Sequence, residues 1–183
     1  MNIFDDFLDS YEELKDYSLG AEFSDVENPA DGVKYPLICT DIPERCRLEI
    51  LSNIYNYLHR MPENITMFMR RSPKGIPVPH IAHHDLSMGS YSLMLYCNDY
   101  DGGGTAMLRH RETGMCYAPE SDDFVEIARF DQNNMDKWAV IDIADMKQNR
   151  AVIFDAGYFH CAMPIGGFGS GNDARTVLTV FFS

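Results

Sequence analysis

Apolar and polar positions follow two different periods along this chain. Ile3, Phe4, Phe7, Leu8, Tyr11 and Leu14 recur at helical spacing, with Asp5, Asp6, Asp9, Glu12 and Glu13 between them. That pattern predicts an amphipathic helix ending near Gly20, with its apolar side packed on the rest of the protein. The acidic residues threaded through 1–20 leave no apolar run, so neither a signal peptide nor an anchor is expected there. Beyond a polar loop holding Pro29, Asp31 and Gly32, Asp41 and Glu44 have the spacing of a capping box, and Pro43 suits a first helical turn. A second helix is expected over 43–60. Ile50, Leu51, Ile54, Tyr57 and Leu58 form its apolar face, and Pro62 closes it.

From Ile65 onward the apolar residues come in short runs broken by Gly, Pro, Asn and Asp, which is the signature of strands. The runs predict strands at 65–70, 79–86, 90–97, 105–110, 138–143, 150–155, 157–163 and 175–182. Helices followed by seven or eight short strands make a mainly β protein with N-terminal helices, a β-sandwich or small barrel with the helices on one outer face. The expected organisation is a single domain over 1–183, with helical support over 1–64 and a β core over 65–183. Residues 118–137 are polar and acidic, with Asp122, Asp123, Glu126, Asp131 and Asp136, and read as an insertion or lid.

Composition narrows the functional classes. A chain of 183 residues, 45% apolar and 23% charged, is a folded globular protein and not a disordered one. The formal charge of −13 repels polyanions, so nucleic acid is a disfavoured partner. A local basic channel from Arg70, Arg71, Lys74, Arg109 and Arg111 is the route by which a nucleobase would still enter. Cysteines at 39, 46, 97, 116 and 161 include no C-x-x-C pair and read as reduced thiols of a cytoplasmic protein. No stretch approaches the ~18 apolar residues of a membrane span. The apolar ending "TVLTVFF" suits a core strand or a strand paired across a dimer, which leaves the oligomeric state open.

Candidate chemistry lies in the strand region. His83 and Asp85 are two apart, so on a strand both side chains leave the same face. Two imidazoles and a carboxylate on one side of an ion form the facial triad of non-haem Fe(II) oxygenases, and His160, the last histidine of the chain, is the candidate to complete it. H-x-D alone is a weak pattern, and a short His-rich strand is more often a satisfied polar feature than a ligand set. His80 and His84 would ligate together on a helix, but Pro77 and Pro79 oppose a helix there, and a strand turns His84 away from Asp85. Arg175 opens the last strand, and an inward-facing arginine needs an anionic partner. A bound dicarboxylate would be one.

The segments "HHDLSMGSYSLMLYCNDYDGGGTAMLRHRETG", "NRAVIFDAGYFHCAMP" and "ARTVLTVFFS" resemble the double-stranded β-helix (jelly-roll, cupin-like) core of the 2-oxoglutarate and Fe(II)-dependent dioxygenases, in particular the prolyl-hydroxylase-like branch with its small bacterial and phage-borne relatives. The resemblance covers 79–183. It implies iron ligation by His83, Asp85 and His160, binding of the distal carboxylate of 2-oxoglutarate by Arg175, and consumption of O2 with release of succinate and CO2. It further implies that Tyr96 and Thr179 contact the co-substrate, and that Gly102, Gly103, Gly104 and Thr105 form the G-G-x-T turn of that branch. Val177 departs from the pattern, standing where many relatives have Ser or Thr. The substrate class it implies is a peptide or protein side chain, or an amino acid. Two other readings compete: a zinc or manganese cupin-like hydrolase or isomerase, and a non-catalytic binding module on the same barrel.

Overall fold

A computed structural model describes residues 1–27, 32–118, 126 and 129–183. Two antiparallel sheets face one another. The larger contains β1 (Asn2–Phe4), β2 (Ser24–Glu27), β3 (Lys34–Cys39), β4 (Thr66–Ser72), β5 (Tyr91–Tyr96), β8 (Ala151–Asp155) and β10 (Arg175–Phe182), in the spatial order β1-β8-β5-β10-β4-β3-β2. The smaller runs β7-β6-β9, from β6 (Gly104–His110), β7 (Trp138–Asp145) and β9 (His160–Met163). A bridge between His83 and His160 adds the 83–85 segment beside β9. Four strands, β8-β5-β10-β4, thus oppose four, β7-β6-β9 and the His83 bridge, with the chain passing back and forth between them. This is a double-stranded β-helix.

Residue parity in the large sheet sorts its two faces. Leu93, Leu95, Ile153, Leu178, Val180 and Met69 point outward, where they form one core with Leu14 of α1 (Tyr11–Gly20) and Ile50 and Ile54 of α2 (Glu44–Leu58). The alternate residues, Met94, Tyr96, Val152, Phe154 and Val177, face the small sheet and pack on Met107 and Ala144. Ser92, Arg70, Arg175 and Thr179 share that inner face by register. Burying such a polar set between two sheets is costly unless each member finds a partner.

The N-terminal part departs from the expected all-helical support. Residues 2–4 pair with β8, and α1 begins only at Tyr11, because Asp6 takes a left-handed conformation (φ 52°) that interrupts helical continuation. Glu49 of α2 accepts hydrogen bonds from the amides of Asp9 and Ser10, capping α1 from outside. Asp41 forms no capping box. It accepts a hydrogen bond from the Tyr17 hydroxyl (2.7 Å), while Pro43 occupies the N-cap of α2. The strand expected at 79–86 is an irregular segment with one bridge at His83. Pro77 and Pro79 lack the amide donors a ladder requires, and the remaining amides bond to three different segments. No described helix is long and apolar enough to cross a membrane.

Candidate metal centre

The 83–85 segment is fixed by its backbone. His83 and His160 exchange N–H···O bonds (3.1 and 2.9 Å), and the Asp85 amide donates to the Ala156 carbonyl (2.7 Å). On its other flank the Ala82 amide donates to Gln132 O (2.8 Å), the Ile81 amide to Asn133 Oδ1 (3.0 Å), and Asn133 Nδ2 to Pro79 O (3.0 Å). Just upstream of this strap, Asp131 accepts from buried His110 (3.0 Å) and from Trp138 Nε1 through its carbonyl (3.0 Å). The lid expected at 118–137 is therefore, in its described part, a strap on the segment carrying His83 and Asp85. Residues 119–125, 127 and 128 lie outside the described residues.

These bonds bring one ligand atom from each of His83, Asp85 and His160 within 4.8 Å of one another. Asp85 Oδ2 lies 3.2 Å from His160 Nε2, and Oδ1 lies 3.8 Å from His83 Nε2. Both imidazoles place Nδ1 against a backbone carbonyl, of Ile81 (3.1 Å) and of Tyr158 (2.9 Å). A carbonyl only accepts, so each Nδ1 carries a proton, and in the neutral ring each Nε2 turns its lone pair to the shared space. His160 Nε2 is buried and, despite its proximity to Asp85, makes no hydrogen bond. A buried nitrogen without a partner is expensive, and a metal ion satisfies it without needing a proton. The residues fit a divalent cation.

Electrostatics follow from this packing. Burial opposes the charge on Asp85, but His160, His83 and the Ser92 hydroxyl (2.8 Å) outweigh it and hold the carboxyl down at about 2. Burial, reinforced by His160, pushes His83 down to about 4. Burial also works against protonating His160, yet the adjoining Asp85 carboxylate prevails and raises it. Phe154 meets the His160 ring edge-on (4.8 Å), and His84 turns away to an edge contact with Phe159 (5.9 Å), as strand parity predicts.

A second polar cluster lies at the far end of the interior. Arg175 is 6% exposed, and among the described residues its Nε has no partner and its side chain makes one long hydrogen bond, from Nη2 to Gly104 O (3.4 Å). Burial lowers it to about 10, leaving it a cation at neutral pH. Gly104 adopts φ 142°, and a Cβ there would lie 1.9 Å from Ala144 O, so the close strand crossing requires glycine. Tyr96 donates to Thr105 Oγ1 (2.8 Å) beside this crossing. Thr179 does not join the cluster. It lies four strand positions from Arg175, about 13 Å along β10, where its hydroxyl contacts Met94 Sδ (3.5 Å). Arg109, named with Arg70 in the local basic channel, is exposed. The sequence reading does not single out Ser92, takes Thr105 only as the end of the G-G-x-T turn, and names Arg70 only within a local basic channel. Parity on the predicted 90–97 strand places Ser92 on the face of Tyr96, and that signal was available.

No family model matches this chain, and no curated protein matches it in sequence. Solved structures do match its fold. A prolyl hydroxylase from Trichoplax adhaerens, in complex with a hypoxia-inducible-factor peptide fragment, superimposes with a TM-score of 0.54 at 14% identity, over 99% of this chain and 82% of that one. SnoN, a non-heme alpha-ketoglutarate-dependent epimerase from nogalamycin biosynthesis, gives 0.56 at 15% identity, over 97% and 76%. HygX from Streptomyces hygroscopicus, with nickel and 2-oxoglutarate bound, gives 0.52 at 11% identity, over 97% and 80%. The double-stranded β-helix of this chain is the fold of these 2-oxoglutarate-dependent enzymes.

Proposed function

We propose that this protein is an Fe(II)- and 2-oxoglutarate-dependent oxygenase that hydroxylates an amino acid or a peptide side chain. The observation that carries this reading is the buried Arg175 guanidinium, with no acidic partner among the described residues, sharing an interior with the His83, Asp85 and His160 cluster. A hydrolase or isomerase on the same three ligands has no use for such a cation, whereas a dicarboxylate that spans the interior meets both ends. When bound, the iron and 2-oxoglutarate supply oxidation by O2, with succinate and CO2 as co-products.

The chain's own residues have four tasks in this reading. His83 and His160 present Nε2 lone pairs because the Ile81 and Tyr158 carbonyls hold their protons on Nδ1. Asp85 supplies the anionic ligand and is kept ionised and oriented by Ser92. Arg175 receives the distal carboxylate in a dry site, where a charge-assisted bidentate pair is strong. Met94, Phe154 and Val177 line the space between the two ends and exclude water from it.

The test is succinate formation from 2-oxoglutarate by Fe(II)-loaded protein in air. The expected result is slow release without a substrate, abolished in Asp85→Ala and in anaerobic controls. A loaded protein that binds metal but never converts 2-oxoglutarate overturns the proposal.

A further inference from the structure

Arg175 has a neighbour that this reading leaves unused. Arg70 stands opposite Val177 in the β4–β10 register, so its side chain leaves the large sheet on the inner face, beside Arg175. Its Nε is buried and unpartnered, and among the described residues it makes neither a hydrogen bond nor an ion pair. Its guanidinium lies 5.7 Å from the centroid of the Tyr35 ring. Leu37, at φ 55°, lies within the irregular register that sets Tyr35 over this face. Along β10, Val177 lies two positions from Arg175 in the direction of Phe181, which pairs with Ser92 beside Asp85, so Arg70, opposite Val177, sits on the metal side of Arg175. The adjacent Arg71 points the other way, over the Phe23 ring (4.2 Å) and onto the Ser18 carbonyl.

Resting on the oxygenase reading, we infer that the primary substrate is a small organic acid whose carboxylate pairs with Arg70. Charge decides between this and an apolar substrate. A divalent ion, Arg175 and Arg70 are cationic, while Asp85 is the one anionic side chain that the described residues direct at them. The two carboxylates of 2-oxoglutarate and Asp85 leave one positive charge uncompensated. Arg70 is half-buried and its Nε lies out of water without a partner, and a monocarboxylate at this guanidinium removes the deficit. An amide or ester of the same acid would leave Arg70 without an anionic partner. The planar fork of arginine suits a carboxylate in two-point contact, so a lysine would recover only part of the pairing.

The experiment uses anaerobic full-length protein loaded with Mn(II) and 2-oxoglutarate. Free amino acids and hydroxy, aromatic and aliphatic monocarboxylic acids are screened by thermal melting, each against its own amide. At least one acid should raise the melting temperature while its amide does not, and should then accelerate succinate formation with Fe(II) in air. In Arg70→Gln the affinity for that acid should fall by at least about thirtyfold, as for loss of a buried charge pair. The 2-oxoglutarate affinity should stay within about threefold. Arg70→Lys, which keeps the charge and guards against a folding artefact, should recover part of the loss. If Arg70→Gln loses 2-oxoglutarate as Arg175→Gln does, Arg70 belongs to the co-substrate clamp and the inference is wrong. It is also overturned if no acid is preferred to its amide. A wild-type protein that binds no 2-oxoglutarate overturns the oxygenase reading first, and this inference with it.

Discussion

Arg175 and Asp85 reach the same interior from opposite kinds of structure. Arg175 opens an eight-residue strand buried along its whole length and laddered on both sides by β4 and β5. Asp85 lies in an irregular stretch joined to the small sheet by one bridge and held by bonds to Ala156, Gln132 and Asn133. In the first case the ladder sets the position of the side chain, and neighbouring substitutions are absorbed by the sheet. In the second, a few local bonds carry the geometry, so the metal end is expected to respond to changes that never touch a ligand.

The largest effect should come from Asp85→Ala, which removes the anionic ligand and leaves only the two imidazoles. Metal affinity should drop by about a thousandfold or more, well beyond the 10- to 100-fold typical of losing an outer hydrogen bond, as read by calorimetric titration. Arg175→Gln should retain metal but weaken 2-oxoglutarate by about 2–4 kcal/mol, roughly 30- to 1,000-fold. That separation would establish the two ends as independent, and a joint loss would erase the contrast. Asp131→Ala sharpens it. Removing the acceptor from buried His110 should cost about 1–3 kcal/mol of stability and also weaken metal binding through the strap on 79–83. A substitution at an equally buried position of β10, such as Leu178→Ala, should destabilise the protein by about 2–5 kcal/mol with the metal affinity of the folded fraction unchanged. Ser92→Ala should weaken metal by about tenfold, since it frees the Asp85 carboxylate to turn.

The smallest effect is on pH. Ligation requires a neutral His160; burial opposes its protonation, but the adjoining Asp85 carboxylate outweighs this and raises its pKa, so a proton competes with metal through the histidine range. Metal affinity should therefore rise with pH through that range, by at most about tenfold per unit for one competing proton. Asp85 itself stays ionised until the pH falls from 3.8 towards about 2, so it adds no dependence near neutrality. An affinity flat across the histidine range would mean that His160 carries no competing proton.

What the sequence revealed depended on how regular each part is. β10 runs over 175–182 as its apolar run predicts, and β5, β6 and β8 fall within a residue of the predicted ends. Period-two alternation between a helix-covered face and a filled interior left a clear signal in those strands. β2, the exposed sequence SDVE, carries no such alternation because neither face is buried. β1 was absorbed into the helical pattern, since Ile3 and Phe4 fit both periods until Asp6 breaks the helix. In the site, H-x-D and the late histidine were legible as ligand types. The strap from Gln132 and Asn133 was not, because long-range backbone bonds have no residue signature. Thr179 shows the limit of parity: it shares a face with Arg175 but lies too far along the strand to share its cluster.

The account stands on one claim, that His83, Asp85 and His160 hold iron in front of a 2-oxoglutarate clamped by Arg175. Anaerobic titration of Fe(II)-loaded protein with 2-oxoglutarate, followed by visible absorption, tests it directly. A weak charge-transfer band should grow to saturation at one equivalent, vanish in His160→Ala, and require far more 2-oxoglutarate in Arg175→Gln. A fully metallated protein that develops no band would contradict the account.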